Sequence, residues 1–134
     1  MSVAGAAVGH QTVTWDAELV PSEPGRTRGP SADCPVEVAL SVISGRWATL
    51  VLRDLMHGPR SFSQLRAGLP ALSAKVLTER LDSLVARGVV SCERSPGFPV
   101  RTSYALTSAG LLLRPLLVQL YRTGEALQGE LPDH

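Results

Sequence analysis

Hydroxyl and basic side chains recur on one predicted helix near the middle of the chain and on the segment that follows it. The side chains are Ser73, Lys75, Thr78, Arg80, Arg94 and Arg101. Such groups donate hydrogen bonds to phosphate oxygens and to the edges of nucleic-acid bases. Between Arg46 and Arg101 there are nine basic and four acidic side chains, a net charge of +5 in a chain whose total is only +1. This segment suits an anionic partner on one face, although charge alone favours the alternative explanation, a solvated surface.

The sequence offers little for catalysis. It has no G-x-G-x-x-G, P-loop, G-x-S-x-G or H-E-x-x-H pattern. Its three histidines are far apart in sequence, and its two cysteines, Cys34 and Cys92, form no disulfide framework. We therefore expect no catalytic residue, no metal site and no cofactor, and a small enzyme is disfavoured.

The same composition bears on location. No apolar run approaches the length of a membrane span. Residues 1–15 lack the basic and apolar regions of a signal peptide. Unpaired cysteines are typical of a reducing compartment. The sequence predicts a cytoplasmic protein with no membrane partner.

Residues 1–33 are predicted to form a flexible arm. From residue 21 to residue 33, seven of thirteen residues are Pro, Gly or Ser, without helical or strand periodicity. The folded domain is expected over residues 34–128, followed by a short tail over 129–134. Chain length allows one such domain.

Glycine, proline and serine bound the first predicted helices. The first begins at Cys34-Pro35 and ends at Gly45, because proline suits a first helical turn and glycine a helix end. A second, from Trp47, ends at Gly58-Pro59. A third begins at Ser61, which is expected to form a capping box with Gln64.

The fourth helix has the clearest pattern. Ser73 is a good N-cap and Gly88 a good terminator. Between them, one apolar stripe follows the helical period: Leu77, Leu81, Leu84 and Val85. Lys75 projects opposite this stripe, Thr78 lies at its exposed margin, and Arg80 flanks its apolar edge. Arg80 is therefore a candidate for a nucleic-acid contact or for an ion pair with Asp54.

A hairpin and a last helix complete the layout. Residues 89–94 and 101–106 are predicted to be two strands joined by a turn over 95–99. Cys92 is expected to be buried in the first of these strands. Thr107 is predicted to cap a helix over 108–128, kinked at Pro115. This order of elements, a helix pair followed by a two-stranded hairpin and a final helix, predicts a winged helix-turn-helix. Its fold class is α+β, and it is mainly α-helical. In that fold the second helix of the pair enters the major groove of DNA.

The residues also resemble HxlR-type transcriptional regulators. The similarity covers roughly residues 34–127 and rests on these runs: Cys34-Pro35-Val36-Glu37, Gly45-Arg46-Trp47, Leu52-Arg53-Asp54-Leu55, Gly58-Pro59-Arg60-Ser61-Phe62, Leu65, Ser73-x-Lys75-x-Leu77-x-x-Arg80-Leu81, Leu84, Gly88-Val89-Val90, Tyr104-x-Leu106-Thr107 and Gly110. It implies a bacterial regulator that binds a palindromic operator in double-stranded DNA as a homodimer, and it favours a repressor over an activator.

The resemblance assigns the dimer interface to the first and last helices. Both are more apolar than a domain of this size can cover by itself. The expected interface residues are Val36, Leu40, Ile43, Leu113, Leu116, Leu117 and Leu120.

Cys34 has two interpretations. It lies at a helix start, where the helix dipole favours a thiolate, and some members of the family sense oxidants or electrophiles through a cysteine here. Asp33 and Glu37 oppose ionisation and favour a structural thiol. A small-molecule effector at the dimer interface is the other expected input. A winged-helix module that binds protein instead of DNA is the alternative function, although Lys75 and the basic hairpin disfavour it.

Overall fold

The structure is a computed structural model that describes residues 16–19 and 31–132. The chain divides into two units, Met1–Val38 and Ala39–His134. Most of the predicted arm over 1–33 lies outside the described residues. Its described part includes a turn in which the Leu19 amide donates to the Asp16 carbonyl at 3.0 Å.

Three short helices come first: α1 over Pro35–Ile43, α2 over Ala48–Leu55 and α3 over Phe62–Gly68. The predicted capping box of α3 is confirmed. The Ser61 hydroxyl accepts from the Gln64 amide at 3.1 Å, and the Gln64 side chain accepts from the Ser61 amide at 2.8 Å. Two otherwise unpaired amides are thereby satisfied, which fixes where α3 begins.

The fourth helix, α4, spans Ala74–Ala86. Its predicted N-cap is confirmed, since the Ser73 hydroxyl accepts from the Val76 amide at 3.1 Å. Gly88 follows the helix with a φ of 80°, a left-handed conformation that favours glycine. α3 and α4 are thus separated by a short turn, and α4 is delimited at both ends by the residue types that its sequence predicted.

The predicted hairpin is confirmed as β2, Val90–Ser95, and β3, Arg101–Leu106. A third strand, β1, has two residues, Arg60–Ser61, and was not predicted from the sequence. It pairs antiparallel with β3, so the strand order is β1-β3-β2, with Arg60 opposite Tyr104. Two residues are too few to show an alternating pattern, and only pairing with a strand forty residues away defines β1.

The prediction of one last helix over residues 108–128, kinked at Pro115, is wrong. The segment forms two helices, α5 over Ser108–Leu111 and α6 over Arg114–Glu130, and Pro115 lies in the first turn of α6. Proline has no N–H and clashes with the carbonyl four residues before it, so the helix stops before Pro115 and starts again around it. The Leu113 amide donates to Gly110 at 3.0 Å, a tightened turn that closes α5.

The core is made almost entirely of leucine and valine. Its buried side chains come from α2, α3, α4, the turn between α3 and α4, and the start of the wing, and they are Val51, Leu52, Leu55, Leu65, Leu69, Leu72, Leu77, Leu81, Leu84, Val89 and Val90. The predicted stripe of α4 is therefore its buried face, although Val85 remains exposed at the margin. Trp47 is half-buried and packs against the edge of this core.

Thr107 joins the end of α4 to the start of α5. Its amide donates to the Val89 carbonyl at 3.0 Å, and its hydroxyl donates to the Gly88 carbonyl at 2.7 Å. The same hydroxyl accepts from the Gly110 amide at 3.1 Å and so caps α5. Gly110 is buried against this joint, where a Cβ would overlap the Val89 carbonyl oxygen and lie 3.0 Å from the Leu106 side chain. We call these four residues, Gly88, Val89, Thr107 and Gly110, the Thr107 joint.

Within the described ranges, no single helix is long and apolar enough to cross a membrane. Only α1 and α2 taken together across a sharp bend would meet the requirements of length and composition.

We predict that Gly110→Ala destabilises the protein by about 2–3 kcal/mol, because the new methyl group has to displace backbone rather than a flexible side chain. Gly124→Ala in α6 is the matched control. A Cβ there meets nothing within 4 Å, so it should raise stability by about 0.5–1 kcal/mol through helix propensity. Urea denaturation of both variants checks this. Equal urea midpoints for the two variants would contradict the close approach of Gly110 to the Val89 backbone at the Thr107 joint.

Candidate nucleic-acid interface

The first two turns of α4 present polar side chains to solvent. Lys75 and Thr78 are exposed, whereas Leu77 and Leu81 on the opposite side are completely buried. The core therefore fixes the rotation of α4 about its axis. Because one face is anchored, Lys75 and Thr78 project from the other face in a defined direction.

The N-terminal end of α4 also offers hydrogen-bond donors. The Ser73 hydroxyl oxygen caps the Val76 amide, and the Thr78 hydroxyl donates to the Ala74 carbonyl at 2.9 Å. The amides of the first helical residues precede the first backbone hydrogen bond of the helix and point outward along its axis. An approaching phosphate would meet these amides together with the positive end of the helix dipole.

Arg80 has a structural contact that its position in the sequence did not reveal. Its Nε donates to the Arg46 carbonyl at 2.8 Å, and a Cβ at Gly45 would lie 3.0 Å from the Arg80 Cζ. The alternative partner, Asp54, is instead paired with Arg53 at 2.9 Å. Arg80 thus ties α4 to the turn between α1 and α2, and its half-buried guanidinium is only partly available to a ligand.

The two candidate arginines of the hairpin lie at its outer end. Arg94 is opposite Thr102, Arg101 is opposite Ser95, and both arginines are exposed. Within the described residues neither of them makes an ion pair, and Glu93 pairs through its backbone with Ser103. Their charges are therefore available at the edge of the molecule.

The expected burial of Cys92 is wrong. Only Val90 of β2 is buried, since β2 is an edge strand that runs away from the core, and Cys92 is exposed. Cys92 lies opposite Tyr104 on β3. Burial raises the pKa of the Tyr104 hydroxyl above its usual value, and the neighbouring Cys92 thiol adds to the rise. Tyr104 is therefore neutral at physiological pH and serves as a packing residue of the sheet.

Acidic side chains limit the basic surface of α4. Glu79 and Asp82 are exposed on the same helix, one and two turns beyond Lys75. They would repel phosphates. Only the part of α4 that precedes Glu79 is thus suited to an anionic partner.

The residues predicted for a dimer interface differ in their surroundings. Three of them are largely exposed, namely Val36 at 59%, Leu40 at 50% and Leu120 at 44%. Three pack against the core of their own chain, namely Ile43, Leu113 and Leu117. Leu116 is half-buried. The exposed three have apolar surface available to another molecule, whereas the packed three also stabilise the monomeric fold.

Cys34 lies at the start of α1 and is partly exposed. Its amide donates to the Ser31 carbonyl at 3.0 Å, and its carbonyl accepts from the Val38 amide at 2.9 Å. The thiol is therefore held at a helix start, as expected. Among the described residues, no three His, Cys, Asp or Glu side chains are grouped closely enough to hold a metal ion.

Two surface features escaped the sequence analysis. An Arg87 nitrogen donates to the Ser41 hydroxyl at 2.7 Å and links the end of α4 to α1. Phe98 is fully exposed at the tip of the hairpin. Local spacing gives no signal for Arg87, because its partner lies 46 residues away. For Phe98 a signal was present, since the Pro-Gly-Phe-Pro run predicts a turn, where side chains are usually exposed.

Together, the α3–α4 pair, the β2–β3 wing and the exposed end of α4 define a winged helix-turn-helix DNA-binding protein. Residues 42–130 match the family model described as HxlR-like helix-turn-helix, and the chain belongs to that family.

Known proteins support the same assignment. The chain is similar to the uncharacterized HTH-type transcriptional regulator YvaP of Bacillus subtilis, with 42% identity over 88 residues that cover 65% of this chain and 82% of YvaP. Its structure is similar to that of the redox regulator HypR in its reduced form, with a TM-score of 0.66 and 32% identity over 71% of this chain and 94% of that one. Reduced YodB from B. subtilis has a TM-score of 0.60 and 32% identity, over 66% and 88% of the two chains. The protein is a transcriptional regulator with a helix-turn-helix DNA-binding domain, and it is not an enzyme.

Proposed function

We propose that the protein is a homodimeric repressor that binds a palindromic operator through the N-terminal end of α4 and the wing. The observation that supports this most strongly is the two-sided character of α4. Its leucines are completely buried, while Lys75 and Thr78 are exposed beside a capped helix start.

In this proposal α4 enters the major groove with its N-terminal part, from Ser73 to Thr78. Lys75 can donate to guanine O6 and N7, and the Thr78 hydroxyl oxygen, whose proton is donated to the Ala74 carbonyl, can accept from a base amino group. Ser73 and the first amides of α4 bind the adjacent backbone. Glu79 and Asp82 keep the remainder of the helix away from the phosphates.

The wing supplies a second contact. Arg94 and Arg101 project near its tip and can reach phosphates or the minor groove beside the α4 site. Arg80 acts mainly as a positioning residue, since its Nε is already bonded to Arg46, and its terminal nitrogens can still contact the DNA backbone.

Dimerisation gives the operator its symmetry. Leu40 and Leu120 are half-exposed apolar side chains. A two-fold contact through these residues would cover them and place the two α4 helices about 34 Å apart, one turn of DNA. When an effector releases the dimer from this operator, repression is relieved.

We predict that Lys75→Ala weakens binding to DNA from the protein's own promoter by about 1–3 kcal/mol, while binding to unrelated DNA changes less. Fluorescence anisotropy with both DNAs measures this. Arg122→Gln, which removes the same charge from α6, is the matched control and should leave the preference intact. An equal loss on both DNAs would make Lys75 a phosphate contact, and no loss on either would contradict its role.

We predict that Leu40→Glu yields a folded monomer that no longer binds the operator, because a charge would be desolvated in the two-fold contact. Leu127→Glu is the control: its side chain is 47% exposed, close to the 50% of Leu40, and lies outside the predicted interface. Sedimentation equilibrium at micromolar concentration distinguishes monomer from dimer. A wild-type protein that is a well-folded monomer there would contradict the proposed dimer.

We also propose that Cys34 receives an oxidant or electrophile signal. Its thiol is partly exposed at the start of a helix that contributes to the proposed dimer contact. The similarity to HypR, which is described as a redox regulator, supports this input. Modification there would add bulk or a cross-link near the dimer contact and change the spacing of the two α4 helices.

Diamide or a quinone is then expected to release wild-type protein from operator DNA in a gel shift. Cys34→Ser should bind DNA normally and fail to respond. Cys92→Ser should respond like wild type, and it is a stringent control because Cys92 is itself exposed to the reagent. Identical responses of wild type and Cys34→Ser would make Cys34 a structural residue.

A further inference from the structure

A cavity of about 620 Å³ lies between α2 and α6, away from the wing and the exposed end of α4. Its apolar lining includes Leu50, Met56, Leu117 and Val118. This volume is in the range of pockets that hold one small organic molecule, about 300–1,000 Å³. The apolar lining gives such a molecule surface to bury.

The charged residues that line the cavity are all cationic. Arg53, Arg114 and Arg122 line it, and no Asp or Glu does. In the described part of the chain, the one ion pair joins Arg53 to Asp54. Arg114 and Arg122, which make no ion pair among the described residues, therefore bring two positive charges to a mostly apolar site. A guanidinium is suited to a carboxylate or sulfonate, to which it can donate two parallel hydrogen bonds.

We propose that this cavity binds a small organic anion with an aromatic or branched apolar body and one carboxylate or sulfonate group. The apolar body lies against α2 and the inner face of α6, and the anionic group is bound by Arg114 and Arg122. Thr49, His57 and Tyr121 complete the polar part of the lining. This ligand site goes beyond the proposed function, because its geometry involves neither α4 nor the wing and shares only Leu120 with the proposed dimer contact.

Two dyes of nearly the same shape separate charge from hydrophobicity. 8-Anilinonaphthalene-1-sulfonate has an apolar body and a sulfonate, and N-phenyl-1-naphthylamine has the same body without the sulfonate. Calorimetric titration of the full chain should give one saturable site per chain for the sulfonate dye. The neutral dye should bind at least about ten-fold more weakly, since it lacks the charge-assisted hydrogen bonds.

The double variant Arg114→Gln with Arg122→Gln should weaken binding of the sulfonate dye about ten-fold or more and leave binding of the neutral dye unchanged. Both side chains are exposed at the surface of α6, so we expect the fold to survive, which circular dichroism and the melting temperature check. Arg66→Gln with Arg94→Gln is the matched control, because it removes the same total charge from residues that do not line the cavity. It should leave both dyes unaffected.

Three results would overturn the proposal. One is the absence of a saturable site in the wild type. Another is a loss of dye binding that is the same in the two double variants, which would indicate a general effect of net charge. The third is a site that appears only in Leu40→Glu, which would show that a second copy of the chain fills the cavity.

Discussion

Thr107 holds three parts of the chain together with one side chain and one amide. Its hydroxyl donates to Gly88 and caps α5 through Gly110, while its amide donates to Val89. Gly88 ends α4, Val89 leads into the wing, and Gly110 begins the path to α6. The position of the wing and of the last helix relative to α4 therefore depends on this joint, where only glycine allows the backbones to approach so closely.

The joint matters for DNA binding because it fixes one end of α4 while other contacts fix the rest. Ser73 caps the start, the buried leucines set the rotation, and Arg80 ties the middle of the helix to the Arg46 carbonyl. A helix held in this way loses little conformational entropy when it docks in a groove. The proposed operator contacts need such rigidity, since sequence is distinguished by hydrogen bonds whose geometry tolerates little movement.

Local residue types predicted a large part of this structure. The Ser61 capping box, the Ser73 cap, the end of α4 at Gly88 and the wing strands follow from spacings of a few residues. What escaped prediction depends on distant pairings: β1 exists only through β3, Arg80 bonds Arg46 rather than Asp54, and Cys92 is exposed because β2 is an edge strand. Pro115 was recognised, but whether a proline kinks a helix or divides it depends on how the flanking turns pack. The roles of the DNA-binding and interface residues remain predictions, because they depend on contacts with another molecule and not on contacts within the chain.

The most direct test of the account is the salt dependence of operator binding by the full chain. If each subunit neutralises about four phosphates through the end of α4 and the wing, a dimer neutralises about eight. A plot of the logarithm of the binding constant against the logarithm of salt concentration should then have a slope of about −7. The operator should remain preferred over unrelated DNA at every concentration. Binding that is independent of salt and blind to sequence would contradict the claim that α4 and the wing recognise DNA.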